Sequence, residues 1–525
     1  MSKLIRRFTE EYKQLFFICL MVGFALYSPI AYQSLWNPDS LDRSVLADNV
    51  VWVRQARWGC QLWEDIMRSN YIFPMQSFFI SIILLAMISV LVVEIFDIKN
   101  KVAQMLLSAC VLTSLHQLST MTYAYCGDEF TIAYFLAVVS AFFLCKMWNE
   151  EKGTLVNCIC SVICLTICLA MYQAYLAIII VILGTRFVLE LYSDKSWQIC
   201  LKKIGIQILS LGASVVMYLI SIKASLIIYN TELSSYRNID QVGNLDLATI
   251  PKTIRDAYTY FYHYYFTNYL YNNSFRGKKT LHILIIAGIL LLLVYLFFRN
   301  KKQMNVIKTF LVALSCVLLP IGFNIVHFMT NTGVSFMMIP AIPYLYVILV
   351  ILIEKACSGN KIDIGIKMMR IPVILVVYIS VLLINMLEVE LRLDINKAVS
   401  IANNIDVDIK RHEDYSKETK ILIVGNYNKG NYERVYGDVL NPMLGGTVAD
   451  FGQFWLGPDL GLSNMNCWNH LFMQYCGTRY LTCNQEEYDN IVMSDEFFNM
   501  GIYPQKESMQ KINDVLVIKL SDDLY

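Results

Sequence analysis

Apolar segments of about 20 residues recur from near the start of the chain to residue 388, and nothing else in the sequence restricts its fold as strongly. A helix of that length crosses the hydrocarbon core of a bilayer while satisfying its own backbone hydrogen bonds, which an irregular segment exposed to lipid does not do. Such runs lie near 14–35, 72–94, 102–121, 130–148, 154–171, 173–192, 204–229, 280–298, 306–328, 333–353 and 371–388, so about eleven transmembrane helices are predicted. A chain of 525 residues that is 56% hydrophobic and only 16% charged fits this reading and lies outside the soluble globular range. The net charge of +1 and the lack of a basic block give no sign of a nucleic-acid partner. The first run follows Lys3, Arg6, Arg7 and Lys13 but lacks a small-residue cleavage site, so it reads as a retained span.

Lys and Arg collect in alternate connections: "KNK" at 99–101, "EEK" at 150–152, "KSWQICLKK" at 195–203, "RNKK" at 299–302, and the segment with Lys355, Lys361, Lys367 and Arg370. The short connections at 122–129, 172–175 and 329–332 contain none. The positive-inside rule then predicts a cytoplasmic N-terminus and an outer face that carries the loop 36–71, "YCGDEF", "YQAY", the loop 230–279 and the C-terminal tail. Two domains are expected: a membrane domain over 1–388 and an extracytoplasmic α/β tail over 389–525. The tail has strand-like runs at 420–425 and 514–520, and Cys467, Cys476 and Cys483 leave a disulfide there open. Cys160, Cys164 and Cys168 recur every four residues in an apolar run, as packing residues on one helix face do.

The outer connections hold the chemistry. "NPDSLDR" sets Asp39 and Asp42 beside the lipid boundary, where an unpaired carboxylate is costly to dehydrate. The same loop carries Trp36, Trp52, Trp58 and Trp63, which suit short interfacial helices. Its Arg54 and Arg57 are three residues apart, so on one helix they would point the same way. "GDE" puts Asp128 and Glu129 immediately before the fourth span; helix capping explains one acid there, not a pair. Tyr172 and Gln173 form a polar corner between the fifth and sixth spans. Lys223, near the outer end of the seventh span, is an ionisable group at membrane depth that either binds a ligand or snorkels to the interface. Tyr and Phe crowd "DAYTYFYHYYFTNYLYNN", as in an interfacial belt or a sugar-stacking surface.

Carboxylates and cations facing outward at a lipid boundary suit group transfer from a lipid-linked donor, in which an acid takes a hydroxyl proton and a cation neutralises the departing phosphate. Neither GxGxxG nor GxxxxGK[ST] occurs to hold a nucleotide, and no metal-ligand pattern is visible. The order of outer motifs, "PDS", "ARWGCQLW", "GDE" and "YQAY", resembles the Gtr-type O-antigen glucosyltransferases of the GT-C superfamily over roughly residues 14 to 350. The family's paired first-loop acids are matched by Asp39 followed by Ser40, its Gly-Arg-Trp by Ala56-Arg57-Trp58, its second-loop acid by Asp128 and its Tyr-Gln corner by Tyr172-Gln173. Ser40 and Ala56 depart from that pattern and leave both Asp39 and Asp42 as candidates for the base.

The resemblance implies a GT-C-like enzyme of the bacterial cytoplasmic membrane that moves a hexose, glucose in the family, from a polyprenyl-phosphate donor to a surface glycan. No cofactor or metal is expected. The catalytic residues expected are Asp39 and Asp128, with Asp42, Arg54, Arg57, Trp58, Glu129, Tyr172, Gln173 and Lys223 binding substrate. A polysaccharide polymerase or ligase, and a transporter or flippase of lipid-linked sugar, are the competing readings.

Overall fold

The computed structural model describes residues 8–35, 40, 50–68, 71–148, 153–235, 247–267, 277–329, 334, 336–357, 364–425, 465 and 468–522. Asp39 and Asp42 lie outside these residues, as do Trp36, Cys467 and the segment 426–464.

The chain is mostly helical. Helix α1 (Lys13–Tyr32) is followed by two short helices, α2 (Val51–Arg54) and α3 (Trp58–Met67). Proline in its first turn starts α4 (Pro74–Ile95), where the missing N–H is no loss. The side chains of Asn100 and Ser114 cap α5 (Lys101–Leu112) and α6 (Leu115–Thr122) by accepting backbone N–H groups. Next come α7 (Gly127–Lys146), α8 (Thr154–Met171), a 3-10 turn at Gln173–Tyr175, α9 (Leu176–Leu191) and α10 (Trp197–Ile228). The aromatic loop contains α11 (Ile250–Phe266), then α12 (Lys278–Arg299) and α13 (Val306–Phe323). Last in the bundle are α14 (Tyr344–Cys357), α15 (Ile364–Met368) and α16 (Ile371–Arg411).

Among the described residues, nine helices are long and apolar enough to cross a membrane, or ten if the bent pair α5/α6 counts as one span. The protein is a polytopic membrane protein. Its outer surface carries large apolar side chains such as Met21, Leu209, Ile228 and Phe310, as a lipid-facing surface must.

Two of the eleven expected runs differ from a plain span. The run at 102–121 breaks at Thr113–Ser114, where α5 and α6 meet at 46° because Ser114 turns to cap the second helix. The run at 333–353 becomes α-helical only from Tyr344, since Pro340 and Pro343 each lack the N–H that helix propagation needs. Helix α7 is the hub, packing on α8, α4 and α9. Because helices alternate in direction, the starts of α4 and α7 lie at one end of the bundle, here the site end. Lys99 and Lys195 lie in connections at the other, and Lys203, Arg299 and Lys308 in the helix turns beside those connections. There Lys195 and Lys203 both donate to the Trp148 carbonyl just past α7.

Helix α16 runs unbroken through position 389 for 41 residues, about 60 Å, so its second half projects from the apolar bundle. Strands β1 (Lys420–Val424), β2 (Leu481–Thr482), β3 (Met509–Ile512) and β4 (Val515–Lys519) form a sheet in the order β2-β1-β4-β3. Strand β1 is parallel to both neighbours and β3 is antiparallel to β4. Strands β1 and β4 coincide with the expected runs at 420–425 and 514–520. Alternation sends Ile421, Ile423, Leu516 and Ile518 into the core shared with Trp468, Phe472 and α16, and Leu422, Val424, Val515 and Val517 against Tyr488 and Ile491. Tyr480 and Lys410 both bond the Asp406 carboxylate on α16, at 2.6 and 2.7 Å. Cys476 and Cys483 are free thiols.

Candidate active site

The site is assembled around α3, whose sequence "WGCQLWEDIM" buries one face against the ends of α7 and α8. Gly59 permits this approach: a Cβ there would stand 2.8 Å from Met171 Cγ and 3.1 Å from the Ala170 backbone. Cys60 Sγ donates to the Met171 carbonyl at 3.3 Å, and burial followed by the Glu129 charge pushes this thiol well above its ordinary pKa. At the start of α7, Gly127 brings the backbone against Thr120, whose carbonyl would lie 2.9 Å from an added Cβ.

Asp128 and Glu129 are fully buried in the first turn of α7. Arg68, at the C-terminal end of α3, forms an ion pair with Asp128 and lies 3.5 Å from Glu129. It also donates to the Tyr125 carbonyl. Trp63 Nε1 donates to the other Asp128 oxygen at 2.9 Å, and Ser77 Oγ donates to the first at 3.0 Å while accepting the Asp128 N–H. Three donors therefore engage this carboxylate. Glu64, one turn before Arg68 and also buried, accepts Trp52 Nε1 at 2.7 Å.

Arg57 stands at the other end of α3, as its N-cap residue. The turn before it forces Ala56 to φ +57°, a left-handed conformation that glycine adopts more cheaply. That accounts physically for the glycine at the equivalent place in the Gly-Arg-Trp motif. The Ala56 carbonyl accepts Tyr218 Oη at 2.9 Å and Gln173 Nε2 at 3.2 Å, while Gln173 also donates to Tyr218 Oη at 2.6 Å. The Tyr-Gln corner thus fixes the backbone that presents Arg57. The guanidinium lies 5.1 Å from the Tyr172 ring centroid and 5.7 Å from that of Trp52, within cation–π range. Its one hydrogen bond among the described residues goes to Gln55 Oε1 at 3.3 Å, and its Nε is buried without a partner. No carboxylate pairs with it among the described residues. The first N–H groups of α3 beside it also lack intrahelical acceptors and carry the positive end of the helix dipole. An anion is what this arrangement is charged to receive.

The expected residues are therefore divided. Arg57, Trp58, Asp128, Glu129, Tyr172 and Gln173 converge on α3, with Trp58 Nε1 donating to Ser221 Oγ at 2.9 Å. Arg54 does not share a face with Arg57, because the turn at Ala56 ends α2; it is exposed and bonds Thr231 Oγ1 at 3.0 Å. Lys223 is exposed and sits off the face of α10 that carries Tyr218 and Ser221, so it is not brought to Arg57. Ser40, between the undescribed Asp39 and Asp42, is buried and accepts the Ala124 N–H at 3.2 Å, next to the Tyr125 carbonyl that binds Arg68. No three His, Cys, Asp or Glu side chains converge as metal ligands among the described residues.

A family model described as "Glucosyl transferase GtrII" matches residues 32–354, more than half of the chain. The protein belongs to this GtrII family. It is on that ground a glycosyltransferase, and the match spans every residue of α3, its Asp128 anchor and the Gln173 corner. Most of α16 and the whole sheet lie beyond the GtrII match. No curated protein and no solved structure matches the chain.

Sequence reasoning passed over Arg68, Ser77 and Tyr218, and read Trp52 and Trp63 only as residues of interfacial helices. One signal did point to Arg68: two adjacent buried acids at a membrane boundary require a cation, and the first loop offers few. Ser77 and Tyr218, polar residues near the ends of apolar helices, carry no such signal.

Proposed function

We propose that this glycosyltransferase transfers a hexose, glucose by family, from a polyprenyl-phosphate donor to a hydroxyl of a surface glycan such as O-antigen. The reading is of a GT-C-like enzyme working at the extracytoplasmic face of the bacterial cytoplasmic membrane. Arg57 carries it: a guanidinium aimed by two backbone-directed hydrogen bonds, flanked by two rings, and without a carboxylate partner among the described residues. A phosphate bridging sugar and lipid meets in Arg57 a planar donor with capacity to spare.

In the proposed step the acceptor oxygen attacks the anomeric carbon and gives up its proton to a first-loop carboxylate, Asp39 or Asp42. The bond from that carbon to the phosphate oxygen breaks, and the lipid phosphate leaves with the electron pair. Arg57 and the N-terminus of α3 stabilise the charge that develops there. The anchoring of Ser40 at Ala124 supports a first loop that returns to this end of the bundle. We assign Asp128 and Glu129 to holding Arg68, and through it α3, in place of the catalytic and substrate-binding roles expected from sequence. Trp58, Tyr172 and Gln173 position Arg57, and Lys223 and Arg54 have no part in the step.

The test is transfer by the purified protein in nanodiscs, with a polyprenyl-phosphate hexose, a polyprenyl-diphosphate oligosaccharide and a nucleotide sugar offered separately. Turnover with the first alone is expected, and turnover with the diphosphate donor alone would select the polymerase or ligase reading. Asp39→Asn and Asp42→Asn, expressed at normal levels, assign the base: the one that abolishes transfer carries it. The bent pair α5/α6 is a feature that a transporter of lipid-linked sugar would share, and movement of donor across vesicles without transfer would favour that reading.

A further inference from the structure

A second charged site lies at the opposite end of the bundle. The end of α4, the start of α5, the end of α14 and the α15–α16 junction enclose a pocket of about 410 Å³, lined among others by Asp97, Lys99, Asn100, Glu354, Lys367 and Arg370. Lys355 completes its charged lining, so four cations face two acids and the described lining carries a net charge of +2, which Glu11, 3.9 Å from Lys99 Nζ, lowers to +1. Both acids are already engaged. Glu354 pairs with the buried Arg370, and Asp97 Oδ1 lies 2.7 Å from Lys99 Nζ. Lys367 is half-buried and has no carboxylate partner among the described residues. Asn100 spends its side chain on capping α5, which leaves the positive end of that helix at the pocket wall. Arg299 adds a further cation nearby by donating to the Lys355 and Ala356 carbonyls at the end of α14.

The surroundings are apolar and face outward. Ile364 is 70% exposed and Met368 58% on α15, and Val102 and Met105 are exposed on α5. A polar, cationic pocket between helix ends whose outer faces are apolar sits where the headgroup layer of a bilayer lies. Its volume equals that of about a dozen waters, enough for a phosphate ester with part of its hydration.

We infer that this pocket binds the phosphate of an anionic phospholipid headgroup, with Lys99, Lys355, Lys367 and Arg370 as its donors and the acyl chains lying along Ile364, Met368, Val102 and Met105. The bound lipid ties α14 and α16 to the turn between α4 and α5. The site is distinct from Arg57 and takes part in no transfer step.

The experiment uses the full chain, purified in a neutral detergent and titrated separately with phosphatidylglycerol, phosphatidylcholine and inorganic phosphate, with melting temperature and retained lipid as readouts. Phosphatidylglycerol is expected to raise the melting temperature and to be retained. Lys99→Gln with Lys367→Gln is expected to weaken its apparent affinity about tenfold. Lys301→Gln, an exposed basic position at the same end outside the pocket lining, is expected to change it less than about twofold. Should the double variant not fold, Lys367→Gln alone serves, with a loss of about threefold expected. Equal response to phosphatidylcholine, or equal weakening by Lys301→Gln, would overturn the site. Inorganic phosphate stabilising as strongly as phosphatidylglycerol at the same concentration would overturn the lipid assignment in favour of a soluble phosphate.

Discussion

The two ends of α3 each carry an arginine, and their circumstances are opposite. Arg68 stands at the C-terminal end, where the helix dipole favours a cation, and is enclosed by Asp128, Glu129 and the Tyr125 carbonyl. Arg57 stands at the N-terminal end, where the dipole disfavours one, between two aromatic rings and with no carboxylate partner among the described residues. A buried charge paired with carboxylates from within holds a scaffold together. A charge kept against the local field, with no carboxylate beside it among the described residues, is set to meet an anion from outside.

The contrast breaks most sharply at Arg68. Arg68→Ala leaves two buried carboxylates without their cation, which costs about 3–5 kcal/mol. We expect a large fall in melting temperature and little folded protein, seen by size-exclusion chromatography in detergent. A variant that melts like the wild type would show that Arg68 is not structural. The next effect belongs to the Arg57 turn. Gln173→Leu with Tyr218→Phe strips the Ala56 carbonyl of both donors, which costs about 1–3 kcal/mol. Transfer should fall more than stability alone explains, because Arg57 is no longer aimed; donor KM and kcat measured beside the melting curve separate the two. Ala56→Gly works in the other direction, relieving the left-handed strain by about 0.5–1 kcal/mol and raising the melting temperature. Lys223→Ala should be the smallest change, within about 0.5 kcal/mol in stability and with transfer rates preserved, since the side chain is exposed and away from Arg57.

Much of the bundle was legible because long apolar runs leave a helix few alternatives, and 154–171 matches α8 residue for residue. Hydropathy does not register the N–H that a proline lacks or a serine cap, which is why α14 starts late and α5 and α6 part at Ser114. In the site, Arg57, Asp128 and Gln173 were readable as polar groups with no reason to stand at a membrane boundary. Arg54 does not share a face with Arg57, because i, i+3 spacing implies one only while the helix continues, and the turn at Ala56 ends it. Of the two readings open for Lys223, its exposed position on α10 fits snorkelling, because ionisability at membrane depth says nothing about which face of a helix a residue occupies. The Asp128–Arg68 pair joins positions sixty apart, and no local pattern announces a contact of that range.

The claim that Arg57 receives the donor phosphate is tested most directly by measuring kcat/KM for a polyprenyl-phosphate hexose with wild type, Arg57→Lys and Arg57→Ala in the same nanodiscs, with melting temperatures alongside. A loss of about 10²–10³ in Arg57→Ala is expected at near-normal stability, with partial recovery in Arg57→Lys, which keeps the charge but not the planar fork. Transfer by Arg57→Ala at the wild-type rate would contradict the account.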